Sequence, residues 1–257
     1  MLSANDITYR IHGKTLLDRV SAHFLPGKLN LIIGPNGAGK STFIKVISNQ
    51  LRPQEGTVNY DGENVQQQSS LQLARKRAVL SQNIELVFPM TVREVVMMGR
   101  YPHFSGVPAE KDLEACRAAM ELFDVQEMAD RNYMTLSGGE KQRVHFARVA
   151  VQIWYPAASG CRYLLLDEPL TFLDVHYQFR FMQQVSQLLQ NNDLVVAGVV
   201  HDLNLAAKFA DHIVLFNHGK VAAAGTAEEV LTKENIKAAY QLEPTIHTEN
   251  GKLFLVF

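Results

Sequence analysis

The stretch Gly34-Pro35-Asn36-Gly37-Ala38-Gly39-Lys40-Ser41-Thr42 constrains this chain more than any other. It reads G-x-x-x-x-G-K-S, a spacing in which backbone N–H groups wrap a chain of phosphates, the lysine reaches the outer phosphates and the serine hydroxyl meets Mg²⁺. The flanks fit that reading. Leu29-Asn30-Leu31-Ile32-Ile33 predicts a short buried strand, and Ser41 to Leu51 places Phe43, Ile44, Val46 and Ile47 at helical spacing without internal Gly or Pro. A strand, a glycine loop and a helix start in that order aim unpaired N–H groups and the positive helix end at an anion. A plain glycine turn would not need Lys-Ser at the helix start.

The other segments predict an α/β fold. Ile7 to Ile11 and Val20 to Leu25 read as antiparallel strands joined through a turn at His12-Gly13-Lys14, and Gly56 to Tyr60 as a strand ending in the Asp61-Gly62 turn. Arg77 to Gln82, Arg162 to Leu166 and Leu194 to Val200 are apolar strands with helices between them, the pattern of a parallel sheet covered on both faces. The helix after Asp174 has Val175, Phe179, Met182, Val185 and Leu189 on one face. Ile213 to Phe216 and Val221 to Ala223 form a hairpin; the tail holds helices from Thr226 and near Asn235 to Tyr240, then a hairpin at Asn250-Gly251. Thr91-Val92-Arg93-Glu94 and Ser137-Gly138-Gly139-Glu140 are capping boxes that open helices in the stretch between. Residues 84–155 are therefore expected to be a helical insert, and 1–83 with 156–257 the core with its β part, all within one domain.

Charge and composition exclude several classes. With 25 basic and 26 acidic residues, net −1, no broad basic field attracts nucleic acid or anionic lipid. The longest apolar runs fall far short of the ~20 residues of a membrane helix. Two cysteines, Cys116 and Cys161, and no signal-peptide pattern lead to the expectation of a reducing cytosol. Any membrane role must come through partners.

Four polar features sit at predicted strand ends, where open parallel sheets bind ligands: the phosphate loop, Gln82, Asp167-Glu168 and His201. Asp167 is suited to hold Mg²⁺ opposite Ser41, Glu168 to polarise an attacking water, Gln82 to ligate Mg²⁺ and orient that water, and His201 to hydrogen-bond a γ-phosphate. His201-Asp202 also reads as a strand-to-helix turn capped by Asp202. Ser137-Gly138-Gly139 is the anomaly. Two glycines in a first helical turn cost about 1 kcal/mol each relative to alanine, which a cap alone does not explain. Bare backbone there admits a second approach of phosphate to a helix start.

Taken together these residues resemble the ATP-binding cassette (ABC) ATPases. The resemblance covers nearly the whole chain, through the phosphate loop, the Gln82 loop, Leu136-Ser137-Gly138-Gly139-Glu140, Asp167-Glu168, Leu173-Asp174 and His201. It implies a P-loop NTPase with a RecA-like core, an antiparallel β subdomain and an inserted helical subdomain. It also implies ATP and Mg²⁺ as cofactors, and two copies paired head to tail, so that Ser137 to Glu140 of one, with Asp174, complete the nucleotide site of the other. Thr91-Val92-Arg93-Glu94 followed by Gly99-Arg100-Tyr101-Pro102-His103, and His201-Asp202-Leu203-Asn204-Leu205-Ala206, are similar to importers of iron-siderophore complexes, haem and vitamin B12. The Trp154-containing segment Gln152 to Gly160 is most similar to haemin-import subunits. Implied partners are two membrane-spanning permease subunits and, indirectly, a periplasmic haem-binding protein, with no nucleic acid; the implied place is the cytoplasmic face of the bacterial inner membrane, held peripherally.

Two positions depart from the family pattern. Leu170-Thr171-Phe172-Leu173-Asp174 stands where Thr-Ser-Ala-Leu-Asp is usual, and the adenine-stacking aromatic of the family falls near Ile11 or His12, with Tyr9 as the nearest ring. Other functions remain open on the sequence alone. Ferric siderophore or cobalamin could be the cargo; a soluble ABC ATPase acting on nucleic acid or ribosomes lacks its usual second cassette or coiled coil here; and a small-molecule kinase leaves Ser137-Gly138-Gly139 without a purpose.

Overall fold

The computed structural model describes residues 1–81, 86–158, 160–249 and 252–257. Strands β1 (Leu2–Ile11) and β2 (Lys14–Phe24) meet at His12-Gly13, both left-handed (φ 46° and 77°), the two-residue turn whose twist matches paired strands. Both strands run longer than their apolar patterns suggested. Next come β3 (Leu29–Ile33), α1 (Lys40–Ile47), β4 (Glu55–Tyr60) and the short β5 (Glu63–Asn64). Helix α2 (Ser70–Lys76), which the sequence reading passed over, is opened by a capping box of Ser69 and Gln72 and leads into β6 (Arg77–Leu80).

Three helices follow: α3 (Val92–Met97), α4 (Glu110–Leu122) and α5 (Gly138–Gln152). The capping boxes at Thr91 and Ser137 form as expected. Gly99 lies in a 3₁₀ turn against α5, where an added Cβ would stand 2.1 Å from the Arg148 carbonyl oxygen. Then come β7 (Arg162–Leu166), α6 (Val175–Leu188), β8 (Leu194–Val199), α7 (Leu203–Phe209), β9 (His212–Asn217) and β10 (Lys220–Gly225). The tail holds α8 (Ala227–Val230), α9 (Lys233–Tyr240) and the pair β11 (Thr245–Glu249) and β12 (Lys252–Val256). The turn expected at Asn250-Gly251 lies outside the described residues.

The strands form an antiparallel sheet in the order β2-β1-β4-β5, a six-stranded sheet in the order β10-β9-β3-β8-β7-β6, parallel from β9 to β6, and the β11-β12 pair. Alternation along each parallel strand divides the core in two. Ile32, Leu165, Val195 and Phe216 face α1 and the antiparallel sheet, whereas Leu31, Leu166, Val196 and Leu215 face α3, α5 and α6. Helix α1 is thus packed between two sheets, which fixes the phosphate loop at its start.

The face of α6 differs from the expectation. Val175 is exposed; Phe181 is buried because it stacks on Phe146 of α5 at 3.9 Å between ring centres, and Gln184 is buried because its amide reaches the Leu122 carbonyl. The Trp154 segment is fastened rather than loose, since Arg162 Nη1 donates to the carbonyls of Ile153 (2.6 Å) and Trp154 (3.0 Å) and Tyr155 Oη to that of Lys111 (2.9 Å).

Candidate phosphate-binding site

Strands β3, β8, β7 and β6 are consecutive in the sheet and end level. The Asp167 N–H continues the ladder to Leu80 O (2.9 Å), and that of Val200 to Ile32 O (3.1 Å). The phosphate loop, His201 and Asp167-Glu168 therefore leave one edge side by side. Gln82 lies outside the described residues.

The loop is shaped by its own surroundings. Gly34 has φ 145°, and a Cβ there would stand 2.3 Å from the Phe216 carbonyl oxygen; Gly39 caps α1 at φ 100°, with Leu16 O at 2.8 Å from such a Cβ. Asn36 and Gly37 are exposed, and Ala38 is buried. Lys40 folds back over the loop, donating to Gly34 O (2.7 Å) and Pro35 O (2.9 Å) with only 5% of its surface exposed. Burial pushes the Lys40 ammonium below its usual pKa, against the opposing pull of Glu168 and Asp167. Ser41 and Thr42, half-buried, begin the helix.

Asp167 is buried, and its Oδ1 has no hydrogen-bond partner among the described residues. Burial pushes its pKa up, while the Ser41 hydroxyl beside it draws the pKa down. Glu168 follows in left-handed backbone (φ 52°), which turns it away from its neighbour, and His201 Nε2 lies 3.0 Å from its Oε1. Asp202 caps α7 through the N–H groups of Asn204 (2.7 Å) and Leu205 (3.0 Å), so the strand-to-helix turn forms as read.

Helix α5 starts differently. The Ser137 hydroxyl accepts from Glu140 N (3.3 Å), and Ser137 N donates to Glu140 Oε2 (2.7 Å), holding that carboxyl below its ordinary pKa. Arg131 takes the other Glu140 oxygen at 3.2 Å. Ser137 and Gly138 are exposed. A Cβ on Gly138 would lie 3.7 Å from Phe172 Cβ, and one on Gly139 3.6 Å from Phe172 O, both ordinary contacts. Among the described residues nothing requires glycine at either position. Asp174 caps α6 by accepting from Tyr177 N at 3.0 Å.

Tyr9 packs into the layer between the sheets, and Ile11 and His12 are exposed at the hairpin tip. A small cavity of about 200 Å³ flanks the loop, lined by Pro35 to Ala38, His218 and Tyr240. The sequence reading missed this flank, because Tyr240 comes to the loop only through the return of α9, far along the chain.

Comparison with known proteins agrees with this geometry. The ABC transporter family model matches residues 17–171. The hemin import ATP-binding protein HmuV of Escherichia coli O157:H7 is 41% identical over 246 residues, 96% of this chain and 94% of that protein. HmuV of Gloeobacter violaceus is 42% identical, over 96% of this chain and 89% of that protein. An ATP-binding cassette of an ABC transporter in its ADP conformation shares the fold at TM-score 0.80 and 22% identity, over 94% of this chain and 97% of that one. A dimeric bacterial ABC transporter cassette does so at TM-score 0.76 and 24% identity, over 88% and 99%. With a family model spanning more than half of its length and relatives above 40% identity along nearly all of it, this chain belongs to the ABC transporter family, as one of its ATP-binding, ATP-hydrolysing subunits.

Proposed function

We propose that this chain drives haemin import: two copies pair head to tail, and ATP held on Lys40 and the loop of one is closed over by Ser137, Gly138 and Gly139 of the other. The observation that carries the pairing is the glycine pair, which costs helix stability and which no contact among the described residues demands. The haemin assignment is supported by relatives above 40% identity that are hemin import ATP-binding proteins.

At the site, Lys40 would exchange its loop carbonyls for the outer phosphates and the α1 start would receive them. Mg²⁺ fits the orphaned, buried Oδ1 of Asp167 and the Ser41 hydroxyl, because it takes few protein ligands and keeps its waters; Gln82 completes the proposed set. Bound there, the ion neutralises phosphate charge. Glu168 orients and deprotonates the attacking water, and His201 holds the Glu168 carboxyl and meets the γ-phosphate. Among the described residues no helix is long and apolar enough to cross a membrane, so membrane-spanning partners carry the cargo. In this reading residues 1–83 and 156–257 form the motor core, and 84–155 pass its closure to two permease subunits at the cytoplasmic face of the inner membrane.

The test is ATP turnover of the chain co-purified with its membrane subunits, against a periplasmic binding protein loaded with haemin, a ferric siderophore or cobalamin. Stimulation by haemin alone is the expected result. Selective stimulation by another cargo overturns the haemin assignment, and phosphate passed to an acceptor other than water overturns the hydrolase.

A further inference from the structure

We propose that Asn204 is a positioning residue for His201, because it ties the helix that begins beside that histidine to the C-terminal strand β12. The inference rests on the role given to His201 above and adds the part that holds it in place. The ring must meet Glu168 and a γ-phosphate at hydrogen-bond distance, so a small displacement of its backbone matters. On one side that backbone is fixed by the sheet, where Val200 N donates to Ile32 O (3.1 Å). On the other side it runs straight into α7, which has only seven residues. A helix that short has little stability of its own and sits where its tertiary contacts put it.

Those contacts come from two directions. Leu203, Leu205 and Ala206 are buried, and Leu203 and Ala206 join the core that also holds Leu31 and Leu215 of the sheet. Asn204, between them, is exposed and of a type with poor helix propensity. Its side chain accounts for its presence. Nδ2 donates to Leu255 O (3.1 Å) and Oδ1 accepts from Leu255 N (2.8 Å), so one amide takes both backbone groups of a residue fifty-one positions away, as a neighbouring strand would. Both groups therefore face away from β11, the strand with which β12 pairs, and without Asn204 they would form part of an open edge. The Leu255 side chain is buried in the same core as Leu203 and Ala206, so the tail meets α7 with a polar and an apolar contact from one residue. The Asp202 carboxylate accepts from Asn204 N at 2.7 Å, and the path from His201 through Asp202 and Asn204 to β12 is closed.

The variant Asn204→Asp keeps the size of the side chain and its acceptor for Leu255 N, but it loses the donor to Leu255 O and sets a carboxylate oxygen against that carbonyl. ATP turnover is measured with the co-purified membrane subunits, alongside ATP affinity and Tm of the chain. A fall in kcat of about fivefold or more is expected, with KM for ATP and ATP affinity within about twofold of the parent. Leu255→Pro cuts the same link from the tail, since the N–H it removes faces Asn204 and takes no part in the β11 pairing. It should lower kcat equally, and the two changes together should lower it no further than either alone. His201→Ala separates positioning from plain support of the fold. In that background, with hydrolysis followed over a single turnover with enzyme in excess, Asn204→Asp should change the residual rate by less than about twofold. Parent-like kcat in Asn204→Asp, or an equal fall with and without His201, overturns the positioning role and leaves the reading of His201 standing. Parent-like turnover in His201→Ala overturns both.

Discussion

Two helices in this molecule begin with glycines, for opposite reasons. Before α1, Gly34 and Gly39 are required from within: their φ angles are positive, and the carbonyls of Phe216 and Leu16 occupy the space a Cβ would need. At the start of α5, Gly138 and Gly139 have room for a side chain and no left-handed backbone. The first start is moulded by the fold it sits in. The second meets no such demand among the described residues, and it is this asymmetry that the proposed pairing explains, with one site folded in place and the other completed by a partner.

The sharpest way to break the comparison is Gly34→Ala. The clashing atom is backbone oxygen of a buried strand and cannot swing aside, so a loss of about 3–5 kcal/mol and a Tm drop of roughly 6 °C or more are expected by thermal denaturation. A stability near that of the parent would mean that the loop relaxes freely, and the claim that it is moulded from within would fail.

Acid separates the two helices next. His145 on α5 is buried against Tyr133, whose hydroxyl lies 2.7 Å from its Nε2, and burial lowers its pKa to about 3. The folded value lies below the free value of 6.5, so between them the unfolded chain takes a proton that the folded chain refuses. The stability owed to neutral His145 is full above 6.5 and is lost as pH falls toward 3, about 2 kcal/mol of it by pH 5. Asp167, beside α1, has the opposite sign: its pKa is raised, so its burial weighs on the fold above the ordinary carboxylate range and is relieved as pH falls. His145→Gln should therefore flatten the decline of Tm between pH 7 and pH 5, and Asp167→Asn should raise Tm at pH 7. An unchanged slope in His145→Gln would show that another group governs the acid sensitivity.

How much of this was legible beforehand depended on whether a signal was local. The loop, the strand ends at Asp167 and His201, and the boxes at Thr91 and Ser137 are short-range patterns, and each appears where its residues predict. Helix α2 carried the same kind of box, Ser69 and Gln72, but it follows Gln66-Gln67-Gln68 without an apolar period to draw attention to it. Tertiary choices were hidden. Arg100 and Asp112 are both buried and pair at 2.9 Å, twelve positions apart, and neither residue's neighbours in sequence announce the other. The face of α6 was misread because Phe181 is chosen by Phe146 of another helix, while Val175, apolar and in register, is left outside.

The smallest change in stability is expected where the comparison matters most, at Gly139. Alanine there meets Phe172 O at 3.6 Å and Leu173 Cδ2 at 3.9 Å, contacts that need no shift, and in a first helical turn it should leave stability unchanged or raise it by up to about 1 kcal/mol. Monomer ATP affinity should not move, because the Lys40 loop is untouched. Turnover by the pair should fall by about tenfold or more, since a methyl group would stand between the α5 N–H groups and the phosphate they are proposed to receive. Equal or greater stability with lost turnover is an outcome that neither a packing role nor a capping role for Gly139 produces, because either would lose both together. Parent-like turnover in Gly139→Ala would remove the reason for a bare helix start, and with it the difference between the two helices.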